Sequence, residues 1–165
     1  MENLKNDLIK LLSENARFTL KQLADMTGSS EEAVKVAIAE LENDGIIVKY
    51  SAIINTEAMA DTNKKVQALI EVKVAPQKLK GFDSYAEDIY SFDEVKSLYL
   101  MSGGFDLAIF VEGTAITDIA KFVSEKLSII DGIISVQTHF ILKKYKIEGH
   151  VTTQPEDRRR QVVQA

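Results

Sequence analysis

A chain of 165 residues has room for one or two small domains, and a 45% hydrophobic content is that of an ordinary globular protein. The absence of cysteine excludes a disulfide framework, thiolate chemistry and cysteine-based zinc sites, and a net charge of −5 argues against strong general affinity for nucleic acid. The start, Met1 to Asp7, lacks the basic and apolar runs of a signal peptide, and no uncharged apolar stretch approaches a bilayer span, so a soluble, cytoplasmic protein with no membrane partner is expected.

Leu4, Leu8, Leu11 and Leu12 recur at helical spacing and predict a first helix ending near Asn15. Thr19 to Gln22 is a capping-box pattern that opens a short second helix, with Leu20, Leu23 and Ala24 inward and a stop at Gly28. Ser29 to Glu32 reads as another capping box. The third helix buries Val34, Ala37, Ile38 and Leu41 and ends at Asn43-Asp44-Gly45. Ile46 to Ile54 is rich in β-branched residues and predicts one or two short strands. Three helices, a tight turn between the second and third, then β structure outline a winged helix-turn-helix over residues 1–60. A three-helix packing unit with no nucleic-acid role has the same outline.

In the winged arrangement the third helix enters the major groove of double-stranded DNA. Its outward face offers Glu31, Glu32, Lys35, Val36, Ala39 and Glu40, and residues 1–60 hold 6 Lys+Arg against 10 Asp+Glu, a net −4. Neutralising phosphates supplies most non-specific affinity for DNA, so a single copy should bind weakly and an assembly of copies more tightly. The usable cations are Lys21, Lys35 and Lys49, with Arg17 beside them. Ser29 and Ser30, at the N-terminus of the third helix, suit phosphate oxygens.

The polar run Asn55 to Lys65 marks a boundary, and the second domain spans residues 61–148. Val66, Ala68, Ile70, Val72 and Val74 alternate as a strand that stops before Pro76. Leu79, Phe82, Ala86 and Ile89 have helical spacing; Val95 to Met101 and Phe105 to Glu112 read as strands. Ile116, Ile119, Ala120, Val123, Leu127 and Ile130 form the stripe of another helix, and Ile134, Val136, Phe140 and Leu142 face one way in a last strand reaching about Lys146. The order β-α-β-β-α-β predicts a ferredoxin-like α+β domain, an antiparallel sheet with both helices on one face. Val95, Tyr99 and Met101 opposite Leu98 and Leu100 make one middle strand apolar on both sides, as Phe105, Leu107 and Ile109 opposite Ala108 and Phe110 do the other. A half-exposed sheet alternates more cleanly, so the bare face is expected to pack on a second copy in a homodimer. Residues 149–165, with Pro155 and Arg158 to Arg160, read as a flexible tail.

Between those two strands lies Met101-Ser102-Gly103-Gly104-Phe105-Asp106. Two glycines at a tight hairpin suit positive φ, and Asp106 is then either a polar residue on an open face or part of a small-molecule site. In the second case backbone N–H groups at the glycines meet a carboxylate and Asp106 holds an ammonium group, which together suit an amino acid. Catalytic patterns are missing. His139 falls mid-strand and His150 in the tail, neither in a metal-ligand spacing, and no nucleophile elbow, phosphate loop or dinucleotide fingerprint occurs. No enzymatic activity, metal or cofactor is expected.

Leu11 to Arg17, Leu23-Ala24, Ser30, Leu41 to Ile47, Met101 to Asp106 and Val136 to Leu142 together resemble the Lrp/AsnC family of bacterial and archaeal transcription regulators, over about residues 4–148. The resemblance implies a DNA-binding winged helix followed by a regulatory amino-acid-binding module, dimerisation through those modules and further assembly into octamers. It implies that the effector sits between modules, lined by Ser102, Gly103, Gly104 and Asp106, with Gln137 and Thr138 from a neighbouring subunit. One departure stands out: the family usually places arginine just before the buried aliphatic residue in the middle of the third helix, where this chain has Val36 and Ala37 before Ile38. Three functions follow in order: a ligand-responsive transcriptional regulator contacting DNA through Lys21, Ser29, Ser30, Glu32, Lys35, Val36 and Lys49; a metabolite-binding oligomer with weak or no DNA binding; and an enzyme akin to the siroheme decarboxylases.

Overall fold

The structure is a computed structural model that describes residues 2–59, 64–75 and 81–153. The chain divides into two units, Met1–Ile54 and Asn55–Ala165. In the first, α1 (Glu2–Glu14), α2 (Leu20–Thr27) and α3 (Glu31–Asn43) pack around Leu8, Leu23, Ala24, Val34, Ala37 and Leu41, with Ile38 half-buried against them.

α2 begins in the expected capping box. Thr19 Oγ1 accepts from the Gln22 N–H at 3.2 Å, and Gln22 Oε1 accepts from the Thr19 N–H at 2.9 Å. α3 does not. Its cap is Ser30 rather than Ser29, with Oγ accepting from the Ala33 N–H at 3.2 Å, so the third helical position holds an alanine that has nothing to reach back with. Residues 46–54 form no strand ladder. The N–H groups of Ile46 and Ile47 both donate to Leu41 O, at 2.9 and 3.0 Å, and the Tyr50 hydroxyl donates to Glu42 at 2.9 Å. β-branched residues favour extended backbone, but a strand also needs a partner, and among the described residues of this unit none is supplied.

The second unit runs β1 (Val66–Val74), α4 (Phe82–Tyr90), β2 (Val95–Leu100), β3 (Leu107–Gly113), α5 (Ile116–Lys121, continued by a π-helical stretch Phe122–Leu127) and β4 (Ile133–Phe140). The four strands form an antiparallel sheet in the order β2-β3-β1-β4, the ferredoxin-like arrangement. Ala68, Ile70, Val72 and Val74 from β1 and Leu107, Ile109 and Val111 from β3 meet Tyr85, Ile89, Ile119, Phe122 and Leu127 from the helices in one core.

Several side chains lie on faces other than those expected. In α4 the buried positions are Tyr85 and Ile89, while Phe82 is exposed; Leu79 lies outside the described residues. In α5 the stripe passes through Ile119, Phe122 and Leu127, and Ile116 and Ala120 face solvent. The Ser128 N–H reaches Val123 O at 2.8 Å, an i→i−5 bond that widens the turn and carries the stripe five residues from Phe122 to Leu127. A bulge between Val95 and Ser97 puts both Val95 and Leu98 against the core, so Val95 does not share a face with Tyr99. A second bulge, at Lys73/Val74 opposite Ile133 to Ser135, puts Ile133 and Val136 inward and leaves Ile134 64% exposed.

β4 stops at Phe140, and the tail expected from residue 149 is ordered as far as residue 153. β5 (Lys146–Ile147) and β6 (His150–Val151) form a hairpin whose turn, Glu148-Gly149, has positive φ at both positions, 44° and 85°. Thr152 beyond it is buried at 6%; its N–H donates to Tyr145 O at 3.0 Å, its hydroxyl to Lys144 O, and its carbonyl accepts from Asn55 Nδ2 at 2.9 Å. Arg158 to Arg160 lie outside the described residues.

Candidate functional site

In the first unit Lys21, Ser30, Glu32, Lys35, Val36 and Lys49 are all exposed, and Ser29 is half-buried with its hydroxyl on Thr27 O at 3.5 Å. Ser30, Glu32, Lys35 and Val36 share the N-terminal half of α3, Lys21 belongs to α2, and Lys49 to the extended segment. Ser30 accepts at its helix cap yet keeps its hydroxyl proton for an acceptor such as phosphate. Lys5 on α1 is committed elsewhere. It pairs with Glu40 at 2.8 Å and Asp44 at 3.7 Å, and the bond to Glu40, against a smaller desolvation, holds its ammonium above the usual lysine range. Beside that pair, Leu4, Ala33, Val36 and Ala37 line an apolar groove of about 270 Å³.

In the second unit the Met101–Asp106 segment joins β2 to β3 as a six-residue turn, closed by the Met101 N–H on Asp106 O at 2.8 Å. Neither Gly103 nor Gly104 has positive φ, contrary to the tight-hairpin expectation; six residues turn the chain without it. A Cβ at either glycine would meet nothing within 4 Å, so both backbones lie open. Asp106 is anchored: its N–H donates to Val72 O at 2.9 Å, and its Oδ2 accepts from the Val74 N–H at 2.9 Å. That carboxylate therefore satisfies a β1 backbone group just past the last β1–β3 pair, Val72 with Leu107. Oxygens of an ionised carboxylate accept several bonds, so one anchor does not exhaust Asp106.

Gln137 and Thr138 are not brought to this turn within one chain. They pair with Glu71 and Ile70, which places β4 two strands from β3, about 10 Å. As neighbours on a strand they also point to opposite faces. His139 sits 3.4 Å from Glu71 on the open face of the sheet. The described residues contain no group of three or more His, Cys, Asp or Glu able to hold a metal. A groove not anticipated from the sequence, about 360 Å³, lies between α4 and β2 against Phe82, Tyr90, Leu98 and Leu100; an exposed phenylalanine at the start of a helix is its only signal.

Residues 67–151 match the family model described as Lrp/AsnC ligand binding domain, and residues 1–48 match the one described as winged helix-turn-helix DNA-binding. The chain belongs to the Lrp/AsnC family. The HTH-type transcriptional regulator YugG of Bacillus subtilis, itself uncharacterised, is 44% identical over 159 residues, 96% of this chain and 95% of that protein. The regulator LrpA of Pyrococcus horikoshii is 32% identical over 139 residues, 84% of this chain and 94% of that one. Among solved structures, AsnC of E. coli aligns over 93% of this chain and 99% of its own at 23% identity with a TM-score of 0.66, a likeness of fold. The regulator NMB0573 of Neisseria meningitidis, solved as an L-Met complex, aligns over 96% of this chain and 98% of its own at 25% identity and a TM-score of 0.64. The chain is thus a helix-turn-helix transcriptional regulator of the Lrp/AsnC type, with a DNA-binding unit and a ligand-binding unit; its relatives are regulators rather than enzymes. No helix among the described residues is long and apolar enough to cross a membrane.

Proposed function

We propose that this regulator responds to an amino acid bound at the Met101–Asp106 turn, between subunits. The observation that carries the reading is Asp106: an anchored carboxylate beside two open glycine backbones, in a unit that matches a ligand-binding family model. Ser102, Gly103 and Gly104 take the effector carboxylate and Asp106 its ammonium group, while Gln137 and Thr138 of another subunit approach from outside. The neighbour solved with L-Met supports an amino acid as the class of effector.

The subunits pair through the sheet face opposite the helices. Leu69, Ala108, Phe110 and Tyr99 alternate onto that face, with Tyr99 and Phe110 edge-on at 6.0 Å, and Tyr99 is 53% exposed. Dimers associate further, up to an octamer, in the cytoplasm. DNA is contacted by Lys21, Ser29, Ser30, Glu32, Lys35, Val36 and Lys49, and the effector acts by binding one arrangement of the assembly better than another.

Calorimetry with the twenty amino acids, followed by fluorescence anisotropy on duplex DNA from upstream of its own gene, tests this reading. It expects one or a few amino acids to bind and to shift a salt-sensitive DNA affinity. No DNA binding at low salt with or without amino acids would end it. A bound amino acid with no DNA binding would favour the second reading, a metabolite-binding oligomer, which the acidic outward face of α3 supports.

A further inference from the structure

The core side of α3 fixes which residues it turns outward. Val34, Ala37 and Leu41 are buried and Ile38 half-buried, so at 3.6 residues per turn Glu32, Val36 and Ala39 lie on the opposite face. All three are exposed, and Val36, although aliphatic, is 47% exposed. Ser30, at the helix cap, keeps its hydroxyl proton for a phosphate oxygen, a contact that sets the first turns of the helix against base edges. Lys35 is turned about 100° from Val36, to one side of the face. Glu40 is taken by Lys5 at 2.8 Å.

In the major groove each base asks for its own side chain: arginine or lysine for guanine, asparagine or glutamine for adenine, a carboxylate for the cytosine amine, and an apolar contact for the thymine methyl. Between Glu31 and Asn43 there is no arginine and no glutamine. The one asparagine, Asn43, lies about 10 Å beyond Val36 at the far end of the helix. The forked readers of guanine and adenine are therefore missing where the helix meets the bases. Beside Glu32 the face offers Val36 with Ala39, neighbours at i and i+3. Neither can bond a phosphate or a polar base edge, and both belong to the segment that matches a DNA-binding model. The group in the groove that suits them is the C5-methyl of thymine.

We propose that α3 reads its half-site through a thymine methyl group seated on Val36 and Ala39. The proposal rests on the regulator reading, since it names what that helix selects. Burying one methyl group is worth about fourfold in affinity, and about 15-fold when two copies engage two half-sites.

The test uses the full chain and the duplex from upstream of its own gene, made once with thymine and once with uracil throughout. Uracil removes the methyl groups and leaves base pairing intact. Anisotropy at a single salt concentration compares the two duplexes for the wild type, Val36→Ser and Lys21→Gln. Thermal melting checks that each variant folds, and sedimentation equilibrium without DNA checks its assembly. The wild type should bind the thymine duplex about 15-fold more tightly, and Val36→Ser, left with only the Ala39 contact, should prefer it by no more than about threefold. Lys21→Gln should bind both duplexes more weakly with the wild-type ratio kept, because a phosphate contact carries no base information. Equal binding of the two duplexes by the wild type overturns the proposal and leaves the regulator reading standing. A wild-type ratio retained in Val36→Ser also overturns it, because the methyl groups are then read elsewhere. An assembly that falls apart in Val36→Ser assigns this face to a second copy of the chain, which overturns it as well. If the wild type binds neither duplex, the regulator reading fails and takes this proposal with it.

Discussion

Replacing Asp106 separates its two tasks, because asparagine keeps one and alanine keeps neither. The Val74 N–H lies 2.9 Å from Asp106 Oδ2 just past the end of the β1–β3 ladder, in a half-buried setting. A hydrogen bond to a charged acceptor contributes about 1.5–3 kcal/mol, and a neutral one about 1 kcal/mol. Asp106→Ala strands the N–H and should cost about 2 kcal/mol; Asp106→Asn keeps an amide oxygen there and should cost about 1 kcal/mol. At roughly 4 °C per kcal/mol for a unit of this size, the melting temperature falls by about 8 °C and about 4 °C respectively. The amide has lost its charge for an ammonium group, so the asparagine variant should fold and associate normally yet bind the effector about 10- to 100-fold more weakly. Differential scanning calorimetry and titration calorimetry on the two variants read both effects. Wild-type effector affinity in Asp106→Asn would refute the ammonium contact, and a wild-type melt in Asp106→Ala would refute the anchor.

Gly132→Ala should cost about 2–5 kcal/mol: φ is +92° there, and the added Cβ would sit 2.1 Å from Tyr85 Oη. Pairing it with Tyr85→Phe should recover only part of the loss in a thermal melt, since the ring atoms remain at 2.9 and 3.0 Å; full recovery or none would show that the hydroxyl is not the point of conflict. Tyr99→Lys, on the open sheet face, should weaken dimerisation at least 100-fold in sedimentation equilibrium with little change in melting, and an unaltered dimer would mean that this face is not the interface. Glu94 carries an acid-sensitive share of stability. Its bond from Lys126 at 2.5 Å, against a smaller desolvation, lowers its carboxyl below the ordinary range. Because the folded value is the lower one, that stabilisation is full above the unfolded value of about 4.3 and fades as pH falls through the folded one. The gap in melting temperature between wild type and Glu94→Gln should therefore be visible at pH 6 and shrink as the solution is acidified past the unfolded value; both groups are partly exposed, so the gap is small, and a gap that widens in acid contradicts the assignment.

What was legible in the sequence followed from period and caps. β1 has strict alternation from Val66 to Val74 and is buried as written, and Thr19 with Gln22 starts α2 where a capping box should. The misplacements came from single-residue insertions that leave no mark in composition. One extra residue in β2 turned Val95 to the helices, one in β4 turned Ile134 to solvent, and one wide helical turn stretched the α5 stripe from Phe122 to Leu127. The ordered hairpin near the end was readable in part: Ile147 and Val151 flank Glu148-Gly149, a pattern suited to a two-residue turn, but the polar residues around it masked the signal. The meeting of the Lys64-Lys65 and Lys143-Lys144 segments along one shallow hollow was not readable at all, since each looks like an ordinary solvated pair until Ile141 bonds to Gln67.

The place where the β1–β3 ladder runs out gives the turn its chemistry. Val72 and Val74 both present their backbone groups to the β3 side, and past the last pair, Val72 with Leu107, the Val74 N–H is taken by the Asp106 carboxylate. Beyond the bulge the Ala75 N–H donates to Gly132 O at 2.7 Å and Ala75 O accepts from the Tyr85 hydroxyl at 3.3 Å, so the turn, the end of β1, the start of β4 and α4 are joined by consecutive bonds. An effector that pulls on Asp106 therefore pulls on the element that positions Gly132, where a displacement of even a few tenths of an ångström is resisted by the Tyr85 ring. A stiff connection of this kind favours a response by rearranging whole subunits over one absorbed within a single sheet, because the close-packed core on the helix side deforms at high cost. Amide hydrogen exchange on the full chain measures this directly: saturating effector should leave protection of β1 and α4 unchanged while altering it on the open sheet face around Tyr99 and Phe110, and slowed exchange confined to β1 and α4 would mean that the signal stays inside the subunit.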